Sequence, residues 1–409
     1  MVYDLIIIGA GAAGLFAASK AENINILLLE KKDRPGLKVM VSGGGQCNLT
    51  HSGYMSHFLA MYGDQKKFVK PALLSFDNKQ TVAYFESLGI ECFEREDGKI
   101  FPVSLDAKAV VKALKEDIDC KGHKKMLQKT PVLDLYKSEG TFKIVTEGQL
   151  YEALNVMIAT GGRSYPALGT EGDGYAFARK LGHTVVEPRP GLTGVVSGKI
   201  SALEWSGIAL KEVELVHNML KARDGMYTQR AVYKGDLLFT HFGISGPVVL
   251  NKSRYLEKDD LLYLNLIGMS SDAAEKLFLE TAGDRPLAFW LNQIKLLDRF
   301  KSELLKALGL TGQEKMGTLS KPNRKALIKW LTQFEVKVDA LQGFKQAMVT
   351  VGGVDTTEID SKTMASKIVE GLYFVGEVLN VDGDTGGYNL QWAFSSAVAA
   401  VQAIEKRCL

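Results

Sequence analysis

Cysteine is scarce: four residues in 409, at Cys47, Cys92, Cys120 and Cys408, with no two in a CxxC pair. That spacing argues against a disulfide framework, a zinc site and a dithiol redox centre, so no metal is expected. It suits a reducing cytoplasm, the expected location. No apolar run approaches the ~18 residues that a membrane span needs. Charge of either sign is not in excess, with 50 Lys and Arg against 47 Asp and Glu, a formal net charge of +3. Internal repeats and low-complexity tracts are missing too, which excludes solenoid and array architectures. What remains is an ordinary soluble composition, 46% hydrophobic and 24% charged, long enough for two or three domains.

The first thirty residues carry the strongest signal. An apolar run at 5–8 enters a glycine turn (Gly9, Gly11, Gly14), an Ala-rich helical pattern follows, and a second apolar run at 26–29 ends in Glu30. This is the grammar of a β-α-β unit that holds a dinucleotide. Gly9 permits the tight turn, Gly11 lets backbone approach a pyrophosphate, and Gly14 allows close helix–strand packing. Glu30, about 20 residues beyond the first glycine, stands where a carboxylate accepts from ribose hydroxyls. A signal peptide is not expected, because the run has no basic leader and carries Asp4.

Residues 1–192 read as alternating strands and helices, with helices over 72–89 and 104–116 and extended segments near 130–135, 142–146 and 156–159. A turn is expected at Ser138-Glu139-Gly140. From about 191 the texture changes: short β-like runs over 193–270 suggest a barrel or sandwich, and 272–330 reads as consecutive helices. The tail returns to strand, glycine loop and helix, the grammar of the opening. The fold class is therefore α/β: a Rossmann-like FAD-binding domain (1–192 and 346–409) split by an insert with a β-barrel-like part (193–270 and 333–345) and a helical part (271–332).

Three further glycine-bearing stations follow the first. Residues 38–48, with SGGGQCN, let backbone amides face an anion or a flat ring, and Lys38 offers a positive charge. The stretch IATGG at 158–162 passes a nucleotide without side-chain bulk. The segment YFVGE at 373–377, followed by a glycine loop at 383–387, delivers Glu377 to the mouth of the site and aims a helix N-terminus at it. That end can stabilise negative charge on a reduced flavin.

This combination resembles the two-dinucleotide-binding-domain flavoproteins. With SGGGQCNLT, LLFTHFGISGP and VTVGGVDTTEID added, the chain resembles, over essentially its whole length, the BaiN-like and aminoacetone-oxidase-like bacterial FAD flavoproteins. The resemblance implies non-covalent FAD, with Gly9, Gly11, Ala12 and Gly14 at the pyrophosphate and Glu30 with Lys31 at the adenosine ribose. Lys38, Ser42 and Asn48 would lie along the phosphate–ribitol path, Val132 at the adenine edge, and Thr160 and Gly161 beside the cofactor. Gly376 and Glu377 would hold the ribityl end, and Gly387, Asn389 and Leu390 the isoalloxazine. Two positions depart from the family pattern, Gln46 in place of Arg and His51 in place of Asn, and neither is assigned a role.

Candidate catalytic residues are His241, Arg163 and Tyr165. His241 precedes a helix start in which Ser245 reads as N-cap and Pro247 as a first-turn proline; Arg163 and Tyr165 follow the ATGG strand, beside the expected ring. Cys47, without a partner, reads as a packing residue. No second GxGxxG follows a strand, so NAD(P)H would be a transient co-substrate, or oxygen an acceptor. The expected activity is an FAD-dependent oxidoreductase moving hydride between flavin N5 and a small organic substrate bound where the insert covers the ring, either an amine or a conjugated double bond. Two other classes stay open. One is a flavoprotein that binds or modifies RNA, or meets an acidic partner, motivated by an excess of about five cations over 193–345 that is concentrated between Lys295 and Lys329. The other is a non-catalytic FAD-binding interaction module.

Overall fold

The computed structural model describes residues 1–219 and 229–408. Two compact units divide the chain, Met1–Pro190 with Phe344–Leu409, and Gly191–Gly343. Each has its own buried apolar core.

The first unit is built on a seven-stranded sheet. Lys124–Leu127, Ile26–Leu29, Val2–Ile8 and Gln149–Ile158 lie side by side and parallel. The first half of Gln149–Ile158 pairs antiparallel with Thr141–Thr146 and its second half parallel with Leu372–Phe374. Continuous apolar runs such as Ile26–Leu29, buried at all four positions, are what a parallel strand covered on both faces requires. Helices Ala12–Lys20 and Tyr388–Cys408 pack together, with Phe16 and Phe394 ring centroids 4.5 Å apart. Register sets the consequence: Ile8 lies opposite both Leu29 and Ile158, Leu29 opposite Leu127, and Ile158 opposite Phe374. Five carboxyl ends thus finish level, and ligands of open α/β sheets bind at that edge.

Several local expectations change. The helix expected over 72–89 breaks into Lys66–Ser75 and Asn78–Ser87. Asp77 causes the break by capping the second helix, accepting from the Gln80 amide at 2.9 Å while the Gln80 side chain accepts from the Asp77 amide at 2.9 Å. The turn at Ser138-Glu139-Gly140 is present, with Glu139 and Gly140 at φ +52° and +79°. A three-stranded sheet of Thr50–His51, Lys99–Pro102 and Cys92–Glu94 was not foreseen; strands of two to four residues are too short to show alternation.

The second unit contains a seven-stranded sheet in the order Phe334–Lys337, Leu261–Asn265, Ala209–Met219, Gln229–Thr240, Gly243–Ser245, Val195–Val196, Ala340–Leu341. Every pairing is antiparallel. The two end strands are separated only by residues 338–339, so the sheet curls back on itself, although no ladder joins its ends among the described residues. Helices Ser271–Thr281, Leu287–Gln293, Asp298–Ala307 and Lys321–Thr332 accompany it, around a core that includes Trp205, Phe278, Trp290 and Phe300. One capping expectation is corrected. Pro247 does open a helix, Pro247–Leu250, but its N-cap is Gly246 at φ +96° and not Ser245. Ser245 is held extended by pairing with Leu238.

Gly14 offers a direct test of the close helix–strand approach. A Cβ there would lie 1.9 Å from the Gly9 carbonyl oxygen. Gly14→Ala is expected to lower stability by ~1–3 kcal/mol through overpacking, read as a shifted urea midpoint; an unchanged midpoint would show that the turn has slack.

Candidate cofactor and active site

The glycine turn is built by exclusion. Gly9 sits at φ +103° with room for no side chain, since a Cβ would come 2.7 Å from the Ala159 carbonyl oxygen. A Cβ on Gly11 would meet only that oxygen, at 4.0 Å, so its outer face is open. Helix Ala12–Lys20 begins at Gly11 with no side-chain cap. Its first-turn amides therefore lack a side-chain acceptor and are offered, with the positive dipole end, to an anion. Glu30, just after strand Ile26–Leu29, accepts from the Ala10 amide at 2.9 Å and the Lys32 amide at 2.8 Å. One bond to each carboxylate oxygen leaves lone pairs for ribose hydroxyls.

Lys31 points to the start of helix Asp173–Lys180, 2.7 Å from Glu171 and 2.5 Å from Asp173. Partial burial disfavours its charge, but the two carboxylates outweigh it and hold the ammonium pKa above its ordinary value. Val132 begins strand Val132–Ser138. The residues before it run beside Glu30, with the Thr130 amide donating to the Glu30 carbonyl at 2.8 Å and Lys129 to the Lys32 carbonyl at 2.9 Å.

The second station joins the two ends of the chain. Lys38, on the helical turn Leu37–Met40, pairs with Glu377 at 2.5 Å. The other Glu377 oxygen accepts from the Thr350 amide at 2.8 Å. Gly43 and Gly44 take φ +56° and +68°, and a Cβ on Gly43 would lie 2.9 Å from the Asn48 amide nitrogen. The Ser42 hydroxyl donates to the Val39 carbonyl at 2.7 Å. Asn48 is buried, and its side-chain oxygen has no partner among the described residues. Cys47 is fully buried, and burial pushes its thiol up to about 12, so it stays protonated and serves packing.

Thr160 and Gly161 follow strand Gln149–Ile158 directly. The next glycine has a tight reason: a Cβ on Gly162 would sit 2.3 Å from the Thr350 hydroxyl oxygen. That oxygen accepts from the Arg163 amide at 2.8 Å, fixing the backbone there. The Arg163 side chain is exposed, its guanidinium 4.9 Å from the Phe344 ring centroid. Tyr165 is half-buried at φ +56°, its amide bonded to the Phe344 carbonyl at 2.9 Å.

On the C-terminal side, Gly376 packs on the opening helix, its absent Cβ 3.1 Å from that of Ala13. Gly387, at φ +97°, lies against the Thr50 carbonyl, which a Cβ would meet at 2.6 Å. Asn389 accepts from the Gly383 amide at 2.8 Å and donates to the Gly383 carbonyl at 2.9 Å. Its side chain braces the glycine loop, so what it has for a ligand is backbone. Leu390 is half-buried on the first turn of Tyr388–Cys408.

Sequence reasoning missed Thr350 and Tyr175. The buried Tyr175 hydroxyl has no partner among the described residues; burial and then the Glu377 charge push its pKa up. No spacing signal marked either residue, because both belong to the site only through long-range packing. His241 lies in the second unit, exposed on the turn between Gln229–Thr240 and Gly243–Ser245, its ring 5.2 Å from that of Phe242. No group of His, Cys, Asp or Glu suited to a metal occurs among the described residues, and no helix there is long and apolar enough to cross a membrane. An uncapped helix start, a glycine-lined path, a carboxylate fixed at the end of the second strand and an orphaned buried amide oxygen together fit an extended dinucleotide.

Comparison with known proteins agrees. The profile described as HI0933-like protein Rossmann domain matches residues 3–403. A ribosomal RNA dihydrouridine synthase of Escherichia coli (strain K12) is 34% identical over 409 residues, covering 98% of this chain and 97% of that protein. A 3-dehydro-bile acid delta(4,6)-reductase of Clostridium scindens is 30% identical over 422 residues, covering 98% of each. Among solved structures, the 3-ketosteroid delta1-dehydrogenase from Sterolibacterium denitrificans shares the fold with a TM-score of 0.52 at 14% identity, covering 99% of this chain and 100% of that one.

Removing the Glu30 acceptors tests the site. Glu30→Ala is expected to weaken FAD binding ~10–100-fold, the worth of lost charge-assisted hydrogen bonds, read as flavin retained after gel filtration. Full retention would place the ribose elsewhere.

Proposed function

We propose that this chain, which belongs to the HI0933-like Rossmann family, is an FAD-dependent reductase of a carbon–carbon double bond conjugated to a carbonyl, acting on uridine in RNA. The observation that carries the reading is full-length similarity, insert included, to two relatives whose names describe one kind of reaction. Making dihydrouridine saturates the C5=C6 bond of a uracil ring, and a delta(4,6)-reductase saturates ring double bonds conjugated to a ketone. Reduction is thereby favoured over the amine oxidation that the sequence also allowed. Uridine is favoured over a steroid by the higher identity of the RNA-acting relative, 34% against 30%.

FAD, when bound, supplies a hydride to the carbon β to the carbonyl. The chain then has three tasks. It holds the cofactor, through the amides at Gly11, Ala12 and Gly14, the Glu30 carboxylate, and the backbone at Gly376, Gly387, Asn389 and Leu390. Lys31, Lys38, Ser42, Asn48, Val132, Thr160, Gly161 and Glu377 complete that set. It must also stabilise the negative charge that develops on the substrate carbonyl oxygen, for which the exposed Arg163 guanidinium is suited. Finally, a proton must reach the α carbon, from the Tyr165 hydroxyl or, as a second candidate, His241. With one dinucleotide fingerprint in the chain, NAD(P)H enters as a transient donor of the two electrons, and non-covalent FAD is the resident group.

The test uses ribosomal RNA transcribed in vitro, hence unmodified, with NADPH under anaerobic conditions and dihydrouridine as the readout. Product is expected for the native chain, and a reductively bleached flavin with no product on RNA but turnover of a steroid enone would move the substrate class. Arg163→Ala is expected to lower kcat/KM ~10²–10³-fold, and Tyr165→Phe ~10²–10⁴-fold; full activity in either variant removes that residue from the reaction.

A further inference from the structure

We infer that the outer face of helix Lys321–Thr332 is a docking surface for the phosphate backbone of RNA. The inference rests on the reading of RNA as substrate and adds where the chain grips it. It begins from how charge in the second unit is partitioned. Between Lys295 and Lys329 there are nine Lys and Arg residues. Lys301 pairs with Asp298 at 3.1 Å, Lys315 with Asp284 at 3.0 Å, Arg324 with Glu275 at 3.3 Å, and Lys306 with Glu204. Arg299 donates to the Ser206 carbonyl at 2.9 Å. Lys295, Lys321, Lys325 and Lys329 are exposed and have no carboxylate partner among the described residues, and the last three share one helix. The compensated cations are local structure. These three are not.

Their spacing makes them a stripe. Residues four apart on a helix share a side and rise about 6 Å per step, so the ammonium groups line one edge of the helix over about 12 Å. Leu327, Ile328 and Leu331 of the same helix are buried in the core on a neighbouring side, which leaves the lysine edge facing out. Lys199 extends the patch. Its ammonium lies 4.5 Å from the Phe334 ring centroid and 5.9 Å from that of Trp330, and donates to the Glu335 carbonyl at 2.7 Å. Burial holds the Lys199 pKa below its ordinary value against the opposing pull of Glu335, and the charge of Lys329 adds a smaller push the same way as burial. Trp330, half-buried, packs edge-on against Trp205 and Phe334 with the Lys199 ammonium 5.9 Å from its ring centroid. On the adjoining helix Ser271–Thr281, Glu275 is engaged by Arg324 and Glu280 by Lys276, and the exposed Asp272 forms no ion pair with the stripe among the described residues.

Like charges at four-residue spacing each cost an isolated helix a few tenths of a kcal/mol, so the stripe is a liability without a polyanion. A nucleic-acid strand relieves it and gains counterion release, a term that a short acidic peptide or a small substrate does not provide. A half-exposed indole beside Lys199 suits a base that stacks while its phosphates are neutralised.

The experiment compares the FAD-loaded native chain, the triple variant K321Q/K325Q/K329Q, and a control, K276Q/K306Q/K315Q, that removes the same charge from paired lysines of the same unit. Retained flavin absorbance shows that each is folded. Affinity for unmodified ribosomal RNA transcribed in vitro is measured over a series of KCl concentrations, together with dihydrouridine formation. The stripe variant is expected to bind at least ~10-fold more weakly at low salt, with a log–log salt slope shallower by about 2, from three lost contacts at ~0.7 each. Its KM for RNA should rise with kcat unchanged, while the control stays within about twofold of native. Native affinity and slope in the stripe variant, or an equal loss in the control, would overturn the docking face. Loss of binding to anionic phospholipid vesicles with RNA affinity intact would overturn it in favour of a membrane surface. RNA bound through the stripe without dihydrouridine formed would sink the reaction assigned above and leave the face standing; no RNA binding by the native chain would sink both.

Discussion

The site depends on three backbone segments meeting where no side chain fits. Gly9, the carbonyl of Ala159 and Gly14 occupy one small volume: a Cβ on Gly9 would lie 2.7 Å from the Ala159 oxygen, and one on Gly14 1.9 Å from the Gly9 oxygen. That closeness lets strand Val2–Ile8 turn straight into a helix whose first amides face outward. It also ties the turn to strand Gln149–Ile158, so Thr160 and Gly161 arrive beside the glycine turn without further instruction. Level carboxyl ends follow from ladder register, and the remaining site residues hang from that edge.

The domain is split in sequence, so its halves need ties that survive the interruption. Lys38 and Glu377, 339 residues apart, make one such tie, and the second Glu377 oxygen reaches the Thr350 amide, which anchors Arg163 through its own hydroxyl. Gln391 makes another. Fully buried, its side-chain oxygen accepts from the Thr50 and Thr81 hydroxyls at 2.7 and 2.9 Å while its nitrogen donates to the Phe76 carbonyl at 3.2 Å. Buried polar groups that satisfy one another across distant segments specify one arrangement more sharply than apolar contact does. The C-terminal helix is therefore keyed to the N-terminal elements, not merely packed on them.

What the sequence made legible followed from local pattern. The β-α-β unit of residues 1–30, the ATGG strand and the returning C-terminal strand and helix were each readable because glycine position, apolar periodicity and a terminal acid are local signals. The split of the nucleotide domain followed from the repeat of that grammar at the tail. The bond from the Thr350 amide to Glu377 was not readable, because nothing in VTVGGV announces which strand end it will face. The same holds for Asn389, whose name suggests a polar contact to a ring but whose side chain closes its own loop at Gly383. The capping error at Ser245 has a related origin: Ser and Pro two apart satisfy the helix-start pattern, and only strand pairing to Leu238 shows that the serine is still extended.

Gln46 and His51, to which the sequence gives no role, take different places in the structure. A guanidinium lies against Gln46: Arg95, from the tip of the hairpin between Cys92–Glu94 and Lys99–Pro102, donates to the Gln46 side-chain oxygen at 2.5 Å. It lies 3.8 Å from the Phe101 ring centroid, and Phe101 in turn is the ring that a Cβ on Gly43 would touch at 3.2 Å. Cation, ring and glycine loop thus form one stack, in which the positive charge enters from a neighbouring strand and the glutamine supplies its acceptor. His51 behaves differently. Its ring stacks on Tyr388 with centroids 5.2 Å apart, and it leaves Gly98 no room for a side chain, a Cβ there coming 2.4 Å from the imidazole. Gln46 therefore holds a charge beside the glycine triplet, while His51 fills space at the start of the C-terminal helix. Only the first changes what a negatively polarised atom over that loop would meet.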